Sequence, residues 1–105
     1  MVTTDKLAEL YKTVLLLEEK HNLAQEALKR VPKTDEITLR HKRQAATEIS
    51  NKLAAARKEF SSAITSYNRA HRNIPFYRKS KTYTVKLQSK TVKFFFDQHG
   101  IPTTV

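Results

Sequence analysis

The chain has 105 residues, with one glycine, three prolines, no cysteine and a formal charge of +10. That length supports a single domain, and the missing cysteines exclude a disulfide framework or thiolate metal site and suit a reducing cytoplasm. A single glycine excludes the glycine-rich loops that cradle phosphates and dinucleotides.

Charge is placed unevenly. Residues 1–31 hold five acids and five bases, whereas residues 32–105 hold fifteen bases against five acids. The opening MVTTDKLAEL carries Asp5 and Glu9 and lacks the apolar stretch of a secretion signal. Strongly apolar runs reach only about four residues, as at Val14–Leu17, too short to span a bilayer. The expected setting is cytoplasmic, with no membrane contact.

The first predicted element is a helix over 4–31. Leu7, Leu10, Val14, Leu17, His21, Ala24, Leu28 and Val31 alternate in steps of three and four, an a/d heptad broken in chemistry only by His21. Thr3 or Thr4 can cap its start, and Pro32 stops its end. His21 reads as a polar residue that sets register in the seam, or as a partly exposed one.

A second helix is predicted over 34–74, with Leu39, Lys42, Ala46, Ile49, Leu53, Ala56, Phe60, Ala63, Tyr67, Ala70 and Ile74 in the same alternation. Thr34 is the expected N-cap and Pro75 the stop. From Ile49 on, the large Leu53, Phe60, Tyr67 and Ile74 alternate with Ala56, Ala63 and Ala70, which lets facing layers interlock. The Pro32–Lys33 link permits only an antiparallel return. At 1.5 Å per residue the arms would measure roughly 42 and 60 Å. The overhanging end at Tyr67, Ala70 and Ile74 therefore needs the tail or a second chain to cover it, and a dimer is slightly favoured over a monomer.

Residues 75–81 read as a basic, aromatic connector, and 82–105 as a small α+β tail. TYTVKLQ over 82–88 alternates like a strand. Ser89 and Gly100 bracket KTVKFFFDQH, which suggests a short helix ending at a C′ glycine, with Pro102–Val105 extended. Strand propensity in TVKFFF makes a hairpin of 82–87 with 91–96 the competing arrangement. The three consecutive phenylalanines cannot share one face, so two are expected on the overhanging end of the second helix. The fold class is mainly α: a long antiparallel two-helix coiled-coil hairpin, its small C-terminal strand–short helix element packed on the longer helix.

No catalytic constellation is legible. His21, His41, His71 and His99 sit on separate elements without metal-ligand spacing, and His99 is expected to complement a helix C-terminus. No cofactor is implied. What remains is binding by charge. Arg40 and Arg43 mark the hairpin tip, Arg69 and Arg72 share a face at the far end, and Tyr77, Arg78, Lys79 and Lys81 follow in the connector. Lys86, Lys90 and Lys93 are expected along one edge of the tail. Cations interleaved with aromatics suit nucleic acid or another phosphate-rich ligand. An acidic protein partner is the alternative.

Overall fold

A computed structural model describes residues 2–71 and 80–105. It contains helix α1 (Thr4–Arg30), helix α2 (Glu36–His71) and strands β1 (Tyr83–Lys86), β2 (Thr91–Phe96) and β3 (Pro102–Thr104). The molecule is elongated, 62 × 25 × 14 Å. The expected ends of the second helix at Ile74 and Pro75 lie outside the described residues.

Thr3 is extended and its hydroxyl accepts from the Lys6 N–H at 3.2 Å, so the α1 N-cap stands where the sequence puts it. Asp5 in the first turn and Lys29 and Arg30 in the last complement the helix dipole. At the second helix the cap is Asp35 instead of Thr34. Its carboxylate accepts from the Thr38 N–H at 3.2 Å, and the Asp35 N–H in turn donates to the Pro32 carbonyl at 3.0 Å. A carboxylate one residue later does the same work with added charge at the positive helix end.

Both heptads face inward. Leu7 and Val14 of α1 and Ala46, Leu53, Phe60 and Tyr67 of α2 are buried, and His21 is half-buried in the seam. Lys42 and Ala70 occupy seam positions but are exposed. A lysine at the tip has no layer above it to bury against, and its ammonium stays hydrated.

The tail corrects the sequence expectation. Residues 91–96 form a strand, not a short helix, and the sheet is antiparallel in the order β1-β2-β3. Tyr83 opposes Phe94 and Val85 opposes Val92, while Phe96 opposes Pro102. Gly100 is not a helix C′ residue. It sits at φ +77° in the five-residue loop between β2 and β3, donating to the Asp97 carbonyl at 3.0 Å. Asp97 accepts on its carboxylate from His99 and Ile101 N–H at 2.8 and 3.0 Å, which ties the loop to one side chain. A turn followed by a left-handed glycine is a common way to close such a hairpin. His99 consequently complements no helix end; its Nδ1 lies 3.2 Å from Asn68 Oδ1 on α2.

Sheet and helices meet through rings. Phe94 and Phe96 are fully buried and half-buried Phe95 faces the other way, as consecutive strand residues must. Tyr11 stacks on Phe60 of α2 at 5.3 Å and takes Phe94 of β2 edge-on at 4.8 Å, joining three elements in one layer. The expected seat on the longer helix is therefore met only in part. Gly100 lies against Tyr67 of α2, but β1 is bound to α1. The Tyr83 hydroxyl donates to Asp5 at 2.7 Å and Thr4 at 3.0 Å, and the Gln88 N–H donates to Glu19 at 2.9 Å. Besides its heptad seam, α1 thus carries a second apolar face, Ala8, Tyr11 and Leu15, packed into the same core.

Candidate nucleic-acid interface

The hairpin tip gathers cations from both arms. Lys29 and Arg30 end α1, and Lys33, Arg40 and Arg43 line one shallow depression with Glu36 and Leu39. Arg40, His41, Lys42 and Arg43 are all exposed. Spacing of three residues puts Arg40 and Arg43 on one face. Arg69 is exposed in the last turn of α2, about 39 Å along the helix from Arg43 at 1.5 Å per residue. The tip and far-end patches are therefore separate surfaces. Arg72, Tyr77, Arg78 and Lys79 lie outside the described residues.

Lys81 is engaged. Its ammonium is 3.2 Å from the Asp5 carboxylate and 5.3 Å from the Tyr83 ring centroid. The Tyr83 hydroxyl, followed by Lys81, holds the Asp5 carboxyl below its usual range, and Asp5 raises Lys81 in turn. Both side chains are largely exposed, so water screens the pair and it ties the tail only weakly. Burial, with Asp5 a lesser cause, pushes the Tyr83 phenol up, and burial does the same for Tyr11.

The tail lysines divide. Lys86 and Lys93 are exposed on the outward face of β1 and β2, and Lys90 is exposed beside the β1–β2 turn. They do not form the single edge expected from the sequence. Among the described residues the ion pairs are Lys81–Asp5 and Arg57–Glu18, at 3.2 and 3.0 Å. Arg40, Arg43, Arg69, Lys86, Lys90 and Lys93 are exposed and form no ion pair with a described carboxylate, though Glu36 lines the same depression as Arg40 and Arg43.

A cleft of about 810 Å³ between α1 and the tipward end of the sheet was not foreseen. Leu15, Leu23, Leu87, Val92 and Val105 supply its apolar lining, with Glu18, Glu19 and Glu26 on the α1 wall and Lys90 and Lys93 on the sheet wall. Its two walls are some 70 residues apart in sequence, so no local pattern announces it. Among the described residues no three histidine or acidic side chains gather as a metal site, and no helix is long and apolar enough to cross a membrane.

No protein-family model, curated protein or solved structure matches this chain.

Proposed function

We infer that this chain is a non-enzymatic binding protein whose partner is a nucleic acid or a similar phosphate-rich polyanion. The observation that carries the reading is the set of six exposed cations without carboxylate partners, Arg40, Arg43, Arg69, Lys86, Lys90 and Lys93. Exposed cations spread along an elongated body suit a polymer of phosphates, because each contact releases condensed counterions. Arg72, Arg78 and Lys79 join the reading on sequence alone. The absence of cysteine suits work in a reducing cytoplasm.

A protein partner is the second reading. Ile37, 74% exposed among the tip cations, and the half-exposed Leu23 offer apolar contacts that a phosphate backbone does not use. Self-association loses part of its sequence argument, because the tail already covers Tyr67. Salt titration separates the two readings. Binding to generic single-stranded or duplex nucleic acid should weaken steeply, by about one unit of slope per phosphate contact. No mobility shift with either form at low salt removes the polyanion reading and leaves the protein partner.

A further inference from the structure

The sheet turns Tyr83, Val85, Leu87, Phe94 and Phe96 into the core, and its other face carries the exposed Thr84, Lys86, Thr91, Lys93 and Thr103 together with half-buried Phe95. There the register sets Lys93 opposite Thr84 and Lys86 opposite Thr91, with Thr103 on β3 continuing the same face. The two lysines and three threonines are exposed, and Phe95, opposite Thr103, is half-buried at the end of the same face. All five of these polar residues can donate a hydrogen bond, two are cations, and none of the chain's ten acids lies on this face of the strands.

Strand propensity accounts for threonine here, but not for the exclusion of one charge sign, since a solvated face ordinarily mixes both. The arrangement is also ordered. Each ammonium stands opposite a short hydroxyl instead of another ammonium, which avoids direct repulsion. The two lysines are diagonal neighbours, with Cα atoms about 7–8 Å apart, within reach of two phosphates of one backbone. Three strands spaced about 4.8 Å apart give a strip about 10 Å across. Such a strip admits one extended backbone, whereas the convex surface of a duplex would touch it along a line.

We propose that this outer face is a docking platform for the sugar–phosphate backbone of a single-stranded nucleic acid. Lys86 and Lys93 meet neighbouring phosphates, and Thr84, Thr91 and Thr103 donate to phosphate or sugar oxygens. The proposal rests on the polyanion reading above and moves its centre from helix α2 and the following loop to the sheet.

The test is fluorescence anisotropy on a labelled 20-nucleotide single strand and a duplex of equal length, titrated with salt. Lys86→Gln/Lys93→Gln should lower the log–log salt slope by about 1.4 and weaken single-strand binding roughly 25-fold at 0.1 M salt, taking about 0.7 per contact. Arg40→Gln/Arg43→Gln should cost less. Thr84→Val/Thr91→Val keeps strand propensity and should weaken binding with thermal stability unchanged. In the unsubstituted protein, the amide resonances of Thr84, Thr91 and Lys93 should shift when the single strand is added, a readout that needs no variant. Binding that survives the lysine pair and disappears with the arginine pair overturns the platform and leaves the polyanion reading standing. Preference for the duplex also overturns the platform. Absence of binding to either probe removes the underlying reading itself.

Discussion

The two halves of the hairpin use the same heptad and end up differently buried. Around α1 residues 7–17 and α2 residues 53–67, the seam holds Leu7, Val14, Leu53, Phe60 and Tyr67, all at 9% exposure or less. Between residues 20 and 50 the same alternation continues, yet only Ala46 is buried. The difference is the sheet. Where Tyr83, Phe94 and Phe96 cover the helix pair, each seam residue has a second layer above it; toward the tip one seam faces one seam. Helical period alone brings two helices together, and a third element makes the contact dry.

That contrast can be broken hardest at Phe94. It is fully buried and touches the rings of Tyr11, Tyr83 and Phe96. Phe94→Ala should cost about 3–5 kcal/mol in chemical denaturation. Leu28→Ala, at a half-buried tip position, should cost about 1–2 kcal/mol. Equal costs at the two sites would mean that the halves are not distinct.

Gly100→Ala probes the joint between the sheet and α2. A Cβ there would lie 2.8 Å from the Tyr67 ring at a φ of +77°, which side chains avoid. The expected loss is about 2–4 kcal/mol, combining left-handed backbone strain with overpacking. A matching change in Tyr67 fluorescence would place the damage at this contact.

Tyr83→Phe is the mildest, about 1 kcal/mol for the lost hydroxyl contacts to Asp5 and Thr4. It should also change the pH profile. The Asp5 carboxyl is held low, first by Tyr83, so its contribution is present above about pH 4 and lost as pH falls through the folded value. The substitution should flatten that acid limb. At the alkaline end the raised Tyr83 phenol stabilises the fold below about pH 10, and that contribution is lost as pH rises through its folded value. Unfolding midpoints measured from pH 2 to 11 would show both limbs.

The helices were legible because their signals are local. Heptad steps, Thr3 and Pro32 lie within a few residues of the structure they specify. The Thr34 expectation failed by one position because Asp35 is an equally good cap one residue later. The strand at 91–96 was harder. Ser89 and Gly100 mark the ends of a helix or the turns of hairpins with equal force, and the partner that decides is the short β1, a few residues upstream. The cations were legible as a set, but their grouping was not. Lys86 and Lys93 share a face only because a register of four residue pairs puts them there. Lys81 meets Asp5 across 76 positions of sequence, beyond any periodicity. Tyr11 and Leu15 could have been noticed as a second apolar stripe beside the heptad, evidence that α1 needed two partners.

That second stripe has a consequence for biosynthesis. Chains emerge from the ribosome N-terminal end first, and α2 follows α1 closely enough to satisfy its seam early. Tyr11 meets Phe60 of α2 with the hairpin, but its edge-on partner Phe94 follows more than eighty residues later. Until then the nascent hairpin leaves Ala8, Leu15 and the free edge of Tyr11 without the sheet that covers them, so helix α1, though made before α2 and the sheet, should be the last of the three to be fully sheltered.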